Sequence, residues 1–330
     1  MSTQTLLVTG AGGFLGLAIA RMLKARGHAV RSLSRQRYAS LAELGVVQIE
    51  GDLADPKIVL RAVDGVDAVL HVAAKPGIWG RYSDYFQANV VGTDNVLAAC
   101  QQSGVNRLVY TSSPSVVHTG ADLSGVDESA PVPARFHAHY PTTKALAEKA
   151  VLRANGPDLA TVALRPHLIW GLGDNHLLPR IAARARAGRL RLVGGGHKLI
   201  DTTYIDNAAA AHLNALDRLE PKAACAGRAY FISNGEPRPV RVIINGLLKA
   251  AGVAPVEKEI SARSAWLVGA VLEGIWSAFK LKGEPPMTRF LAEELALAHW
   301  FNIDAARRDL GYSPTIGIDE GLRLLAQANR

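Results

Sequence analysis

The 330-residue chain contains only two cysteines and few aromatic residues, and it has no long uncharged apolar run. Cys100 and Cys225 have no CxxC spacing and no neighbouring histidine, so we expect them to be buried thiols in a reducing compartment. No stretch of about 18 apolar residues is present, so we expect no membrane-spanning helix. The first residues lack the charged segment and cleavage site of a signal peptide, and we therefore expect a cytoplasmic protein.

Acidic residues are outnumbered by basic ones, 29 against 37, which gives a formal net charge of +8 at pH 7. A basic protein favours an anionic partner, such as a phosphate-bearing cofactor or an acidic substrate. The basic residues are scattered rather than clustered, so we do not expect nucleic acid to bind. Histidines such as His137 and His139 lack the paired spacing of metal ligands, and we expect no metal site.

Short apolar runs alternate with segments of helical period over the first half of the chain, which is typical of βαβ units. We predict strands at residues 5–9, 29–33, 46–50, 68–72, 107–111 and 161–165, and helices at 13–26, 57–63, 85–103 and 142–154. Runs such as 6–8 are apolar at every position, as expected for strands covered on both faces. The sequence therefore predicts an α/β fold with a doubly wound parallel sheet of the Rossmann type.

After residue 170 the pattern becomes mostly helical. We predict helices at 176–191, 207–219, 239–251, 262–279 and after Ile318, and one strand at 230–233 that returns to the sheet. Residues 1–172, with returning segments near 198–233, are predicted to form the Rossmann domain. Residues 173–197 and 234–330 would form a smaller, mostly helical substrate-binding lobe that is interleaved with it.

Glycines at positions 10, 13 and 16 follow the first predicted strand and open the first helix. Their missing Cβ atoms permit a tight turn and close approach of a pyrophosphate, and the helix N-terminus supplies free N–H groups. We therefore predict that a dinucleotide binds at Gly10, Gly13, Phe14, Leu15 and Gly16. The alternative is a strand–helix turn that is tight and nothing more.

The second predicted strand ends in Ser34-Arg35-Gln36-Arg37, where NAD-binding chains place an acidic residue. A carboxylate would repel a ribose 2′-phosphate, whereas a guanidinium binds it through charge-assisted hydrogen bonds. No carboxylate is in reach by sequence, so we predict NADP(H) with Ser34 and Arg35 at the phosphate. The alternative is that Arg35 and Arg37 are solvated loop residues.

Further cofactor contacts are predicted after the third and fourth strands. Asp52, followed by Leu53, could accept a hydrogen bond from the adenine amino group, or it could be a helix-capping or turn aspartate. Ala73 and Ala74 are small enough to let the cofactor approach closely. His71, just before them, is as well explained by packing as by function.

Tyr140 and Lys144 are four residues apart and therefore share one helix face, with Pro141 suited to the first helical position. An ammonium near a phenol favours the phenolate, which lowers a pKa that is ordinarily about 10. Such a tyrosine can exchange a proton with a substrate oxygen. The preceding strand ends in Thr111-Ser112-Ser113, and parallel strands present ligand-facing residues at their carboxyl ends.

Three more blocks accompany these motifs: ANVVGT at 88–93, LRPHLIWG at 164–171 and TYIDN at 203–207. Together with the three glycines, Ser113 and the Tyr140/Lys144 pair, they resemble the extended short-chain dehydrogenase/reductases. This resemblance runs from residue 5 to beyond residue 235. It implies a nicotinamide-dependent oxidoreductase.

The resemblance also implies roles for particular residues. Tyr140 would be the general acid/base, and Lys144 would bind the nicotinamide ribose and tune Tyr140. Ser113 would hydrogen-bond the substrate oxygen, with Ser112 taking its place if the register is shifted by one.

Three other residues would lie near the nicotinamide. Asn89 would help a proton relay, unless it is an ordinary helix cap. Pro166 and His167 would lie beside the nicotinamide through backbone contacts.

Within this superfamily, residues 110–118 and the Tyr-Pro-x-x-Lys form resemble the 3β-hydroxysteroid dehydrogenase branch. The segments 173–180 and 229–237 and the arginine-rich run up to Arg191 are most similar to bacterial 2-alkyl-3-oxoalkanoate reductases of long-chain olefin biosynthesis. The predicted helix at 262–279 is apolar nearly all round. It could line an alkyl-chain cleft, lie on a membrane surface, face a partner or form the core of the lobe.

These resemblances imply NADPH-dependent reduction of a long-chain 2-alkyl-3-oxoalkanoate to the 2-alkyl-3-hydroxyalkanoate. They also imply a homodimer, with possible assembly with other olefin-pathway enzymes. One alternative is a hydroxysteroid or sterol dehydrogenase with the same catalytic residues; a nucleotide-sugar epimerase fits less well because the second lobe is so apolar. The alternative from another class is an NADPH-sensing regulatory protein, which would not need Ser113, Tyr140 and Lys144 together.

Overall fold

The computed structural model describes residues 3–329. Within that range the strands, in chain order, are β1 (Thr5–Thr9), β2 (Ala29–Ser34), β3 (Val47–Glu50), β4 (Ala68–His71), β5 (Arg107–Thr111), β6 (Leu123–Val126), β7 (Ala160–Pro166), β8 (Ile169–Trp170), β9 (Leu192–Val193), β10 (Leu199–Ile200), β11 (Thr203–Tyr204), β12 (Arg228–Ile232), β13 (Arg238–Pro239), β14 (Glu259–Ile260) and β15 (His299–Phe301).

The α-helices of the same range are α1 (Phe14–Ala25), α2 (Ala39–Glu43), α3 (Pro56–Val63), α4 (Tyr82–Tyr85), α5 (Gly92–Gln102), α6 (His139–Arg153), α7 (Leu177–Arg186), α8 (Ile205–Arg218), α9 (Val240–Ala250), α10 (Ala262–Ala278), α11 (Arg289–Ala296), α12 (Asp304–Leu310) and α13 (Ile318–Ala328). A π-helical stretch, Phe86–Val91, joins α4 to α5.

The central sheet has seven parallel strands in the order β12-β7-β5-β4-β1-β2-β3. From β1 the chain first builds outward through β2 and β3, and it then returns to build the other side from β4 to β12. The direction of building reverses between β1 and β4, and ligands bind at such a switch point in doubly wound folds. The predicted fold class, a doubly wound parallel sheet of the Rossmann type, is confirmed.

The strands of this sheet bury side chains on both faces. In β1, Leu6 and Val8 pack into one hydrophobic cluster and Leu7 into the other, and all three are fully buried. In β5, Val109 faces the first cluster while Leu108 and Tyr110 face the second. Because each face has its own apolar cover of helices, the strands read as continuous apolar runs in the sequence.

The chain after β5 supplies the last strands of the central sheet and a second, smaller sheet. β12 pairs with β7, so the strand predicted at 230–233 does join the sheet, beginning at Arg228. A separate four-stranded sheet has the order β13-β10-β15-β6. The sequence did not reveal it, because strands of two to four residues are too short to produce a hydrophobic period.

Two helices of the C-terminal region differ from their predicted form. α7 ends at Arg186 rather than 191, because Gly188 has a φ of +66° and ends the helix. α10 buries only Ala265 and Gly269, and a Cβ on Gly269 would lie 2.6 Å from the backbone of Thr288 just before α11. Its other apolar side chains reach the surface, with Leu267 60% exposed, and Phe279 just after the helix is 73% exposed. Among residues 3–329 no helix combines the length and hydropathy needed to cross a bilayer.

Candidate active site

The glycine-rich turn lies at the switch point of the sheet. Gly10 has a φ of +68°, and a Cβ there would lie 2.9 Å from Cα of Ala73, so the turn after β1 packs directly on the loop after β4. A Cβ on Gly16 would overlap the carbonyl oxygen of Gly10. Gly12 lies against the Tyr38 ring so closely that a Cβ on Gly12 would overlap it. The turn therefore requires glycine at positions 10, 12 and 16.

The same turn leads into the N-terminus of α1. Gly13 is the N-cap residue and supplies no side-chain cap, so the first N–H groups of the helix, including those of Phe14 and Leu15, have no side-chain acceptor at the cap. Free N–H groups and the helix dipole favour an anion here. The structure thus brings the five predicted glycine-loop residues together with Ala73 at one edge of the sheet.

His71 is a packed residue that fixes this edge. Its Nδ1 is 2.8 Å from Thr9 Oγ1 and its Nε2 is 3.0 Å from Thr93 Oγ1. Thr9 Oγ1 also accepts hydrogen bonds from the N–H groups of Val72 and Ala73. Burial, and then the charge of Lys144, lower the pKa of His71 to about 3, so it stays neutral.

The end of β2 is close to a carboxylate that the sequence did not suggest. Ser34 pairs in register with Glu50 on β3, and Glu50 Oε2 lies 3.9 Å from Arg37 Nε. Arg35 is exposed. No carboxylate lies near Ser34 along the chain, but one lies near it in space. Parallel pairing of β2 with β3 brings Ser34 and Glu50, sixteen residues apart, side by side. The pairing of β2 with β3 was the signal that would have found it.

Asp52 and Leu53 lie beyond β3. Asp52 is exposed, and its Oδ1 accepts a hydrogen bond from the N–H of Ala54 at 2.9 Å, which is the turn geometry given as the alternative. The Leu53 carbonyl accepts a hydrogen bond from Asn95 Nδ2 at 2.8 Å, and its side chain packs against Gly92. These contacts fix the loop between β3 and α3 against α5. Ala74 is partly buried beside Ala73.

Tyr140 and Ser113 lie next to each other at the carboxyl end of β5. Burial raises the pKa of Tyr140, and the nearby Ser113 hydroxyl acts in the opposite direction. Ser113 is partly buried, and its Oγ lies 2.9 Å from Ser115 Oγ. The Ser112 hydroxyl is buried and has no hydrogen-bond partner among residues 3–329. The structure thus brings Ser113, and not Ser112, to Tyr140.

Tyr140 belongs to the first turn of α6, which begins at His139 with Ala138 as its N-cap. Pro141 is therefore the third helical residue rather than the first. A proline is acceptable there because the N–H groups of a first turn have no intrahelical acceptor.

Lys144 is buried on the same helix but contacts Tyr110 rather than Tyr140. Its Nζ donates hydrogen bonds to Tyr110 Oη at 2.7 Å and to the Thr111 carbonyl at 2.6 Å. Burial lowers the pKa of Lys144 to about 7, against the opposing effect of Glu148. The expectation that this ammonium lowers the pKa of Tyr140 is therefore not met: the long side chain reaches down to β5, and burial decides the direction for Tyr140.

Asn89 joins the loop after β4 to α6. Its Oδ1 accepts from the N–H of Lys75 at 2.7 Å, and its Nδ2 donates to the Lys75 carbonyl at 3.2 Å and to Thr143 Oγ1 at 3.0 Å. It lies inside the π-helical stretch, so it is not a helix cap. Asn89 thereby holds the residue that precedes Lys144 on α6.

Pro166 and His167 lie at the end of β7, where His167 enters a buried hydrogen-bond chain. His167 Nδ1 is 2.5 Å from Asp201 Oδ1, and His167 Nε2 is 3.0 Å from His299 Nδ1. His299 Nε2 is 2.6 Å from the Glu294 carbonyl, and Asp201 Oδ2 accepts from the N–H of Phe301 at 3.0 Å.

These contacts link Asp201, His167 and His299 into one buried hydrogen-bond chain that ends at the Glu294 carbonyl. Sequence reasoning missed Asp201 and His299, because they are 34 and 132 residues from His167 and share no motif with it.

Among the described residues no group of three or more histidine, cysteine, aspartate or glutamate side chains has the geometry of a metal site. Cys100 and Cys225 are both buried free thiols.

Comparison with known proteins is consistent with this geometry. The sequence profile of the 3-beta hydroxysteroid dehydrogenase/isomerase family matches residues 7–260. The 2-alkyl-3-oxoalkanoate reductase of Stenotrophomonas maltophilia (strain K279a) is 57% identical over 323 residues, covering 97% of this chain and 98% of that protein. The 2-alkyl-3-oxoalkanoate reductase of Shewanella oneidensis is 48% identical over 326 residues, covering 96% and 84%.

A solved structure extends the comparison to the fold. The crystal structure of gox2253 matches with a TM-score of 0.79 at 29% sequence identity, covering 99% of each chain. Since the family profile covers well over half of the sequence and both reductases align along nearly all of it, the chain belongs to the 3-beta hydroxysteroid dehydrogenase/isomerase family of oxidoreductases.

Proposed function

We propose that the protein reduces a long-chain 2-alkyl-3-oxoalkanoate to the 2-alkyl-3-hydroxyalkanoate with NADPH, as a step of olefin biosynthesis. The observation that carries the proposal is Tyr140 beside Ser113 at the carboxyl end of β5, close to the switch point of the sheet. The substrate class is supported by 57% identity to a protein named for that reaction.

The glycine-rich turn fits a dinucleotide. Gly10 and Gly16 leave a cradle that a Cβ would fill, and α1 directs its free N–H groups to the same place. Ser34 and Arg35 would hold the 2′-phosphate of NADP(H). Arg37 offsets the charge of Glu50, which would otherwise repel that phosphate. When bound, the nicotinamide supplies the hydride.

Tyr140 would donate the proton to the C3 oxygen as the ketone becomes an alcohol. Ser113, whose hydroxyl interacts with Tyr140, would hold the same oxygen and stabilise its developing charge. A partly buried site strengthens such a hydrogen bond because little water competes with it. Lys144 would bind the nicotinamide ribose from its place between α6 and β5, and Pro166, His167 and Asn89 would line the nicotinamide end of the cleft.

The reverse reaction tests this proposal, since β-keto acids readily lose carbon dioxide. Purified protein receives NADP⁺ or NAD⁺ with a long-chain 2-alkyl-3-hydroxy acid, and nicotinamide reduction is followed. We expect turnover with NADP⁺, and a loss of at least about 100-fold in kcat for Tyr140→Phe. The matched control is Tyr82→Phe, which removes the hydroxyl of an exposed tyrosine and should change kcat less than twofold.

A 3β-hydroxysteroid assayed in parallel separates the alternatives. Steroid turnover without turnover of the hydroxy acid would make the protein a steroid dehydrogenase, as the family profile allows. A clear preference for NAD⁺ would overturn the proposed role of Arg35. NADPH binding without any turnover would indicate a regulatory protein.

A further inference from the structure

An apolar cavity of about 420 Å³ lies between α10 and α11. Its walls include Trp266 and Leu267 from α10 and Ala292 and Ala296 from α11, and apolar atoms make up nearly all of its lining. The volume lies within the range of small-molecule sites, about 300–1,000 Å³. None of these residues belongs to the glycine-rich turn or to the Ser113–Tyr140 pair.

A smaller cleft lies next to this cavity, on the side of α6. It is lined by His118, Arg135, His137 and Pro141, and Pro141 is the neighbour of Tyr140 on α6. Gly120 lines both spaces, so the two meet there.

Glu293 marks the boundary between the two spaces. Its Oε1 accepts a hydrogen bond from Trp266 Nε1 at 3.2 Å, and its Oε2 lies 3.2 Å from His137 Nδ1 and 3.9 Å from His118 Nε2. Trp266 lines the cavity, whereas both histidines line the cleft. The polar groups therefore lie where the cavity meets the cleft, while the rest of the cavity lining is apolar.

We propose that the α10–α11 cavity is the subsite for one alkyl chain of the substrate. This inference rests on the proposed function and adds the orientation of the substrate. The acid head group stays on the Tyr140 side of Glu293, because the carboxylate of Glu293 repels it from the cavity. The chain passes Gly120 and lies against Trp266 and Ala296, where it leaves water.

The test is to fill the cavity and compare chain lengths. Wild-type protein and Ala296→Phe are assayed in the reverse direction with a long-chain and a short-chain 2-alkyl-3-hydroxy acid. Each methylene kept out of an apolar site lowers kcat/KM about fourfold. We expect Ala296→Phe to lower kcat/KM at least tenfold for the long-chain acid and less than twofold for the short-chain acid.

The matched control is Ala278→Phe, which adds the same side chain at an exposed position of α10 outside the cavity. It should leave both values within twofold. Trp266→Ala removes the largest side chain that lines the cavity and should lower kcat/KM for the long-chain acid at least fivefold. This second variant tests the cavity even if the Tm of Ala296→Phe shows that it folds poorly.

Different results would contradict the proposed function and the alkyl subsite. If wild type turns over neither acid, the proposed function is wrong. If wild type turns over both and the ratio of long-chain to short-chain kcat/KM is unchanged in Ala296→Phe and Trp266→Ala, the cavity is not the alkyl subsite. Equal losses for both acids in both variants would also overturn it.

Discussion

Around β1 many contacts join elements that follow one another in sequence, whereas the four-stranded sheet is assembled from distant segments. β1, the glycine-rich turn, α1 and β2 follow one another directly, and each packs on the next. In the four-stranded sheet, by contrast, β6 pairs with β15, and Leu123 faces His299. We therefore expect a substitution near β1 to change the affinity for the cofactor. A substitution in the four-stranded sheet should instead change the stability of the fold.

We expect the largest effect, on dinucleotide binding in the first region, from Gly16→Ala. A Cβ at this position overlaps the Gly10 carbonyl, so the turn must open and lose its fit to a dinucleotide. We expect the Kd for NADPH, measured by fluorescence titration, to rise at least about 100-fold. Gly156→Ala is the matched control, because a Cβ on Gly156 meets nothing within 4 Å. Unchanged affinity in Gly16→Ala would contradict the assignment of the turn.

A smaller effect, on stability, is expected from Asp201→Ala in the second region. Without the carboxylate, the Phe301 N–H and His167 Nδ1 both lose their hydrogen-bond partner in a buried site. We expect the free energy of unfolding to fall by about 1–3 kcal/mol, measured by urea denaturation. Asp158→Ala, in an exposed loop, should change it by less than about 0.5 kcal/mol. Equal stabilities of the two variants would show that the hydrogen bonds of Asp201 do not stabilise this region.

The third effect is gradual: a pH dependence of stability that comes from two buried histidines beside the central sheet, His71 and His212. Burial lowers the pKa of His212 to about 4 and that of His71 to about 3, so both stay neutral in the fold while the unfolded chain takes up protons below about pH 6.5. Stability therefore falls as the pH drops from 6.5 to 5, by at most about 1.4 kcal/mol per pH unit for each histidine. Urea denaturation across this range measures it, and His212→Asn should reduce the slope. A flat profile from pH 6.5 to 5 would refute the effect.

The sequence predicted contacts between neighbours along the chain better than contacts between distant segments. The seven strands of the central sheet and the proximity of Gly10, Gly13 and Gly16 were accessible, because hydrophobic period and a local motif describe neighbours along the chain. The four-residue spacing of Tyr140 and Lys144 placed them on one helix face, as found. It could not show that Lys144 reaches Tyr110, which depends on how α6 lies over β5.

The features that the sequence did not indicate all depend on pairing across the fold. Glu50 lies beside Ser34 only because β2 and β3 pair in parallel. His167, Asp201 and His299 become partners only once the ends of β7, β10 and β15 meet. Glu50, Asp201 and His299 are polar and unremarkable in their own segments, so no local pattern singles them out.

The contact between Gly12 and Tyr38 has a consequence for how this sequence can diverge. Because the Tyr38 ring occupies the space of any Cβ at position 12, an alanine there requires the ring to move. A side chain can do this more easily than the backbone that blocks a Cβ at Gly10 or Gly16. Position 12 should therefore accept alanine most readily in descendants of this chain that have a smaller residue at 38.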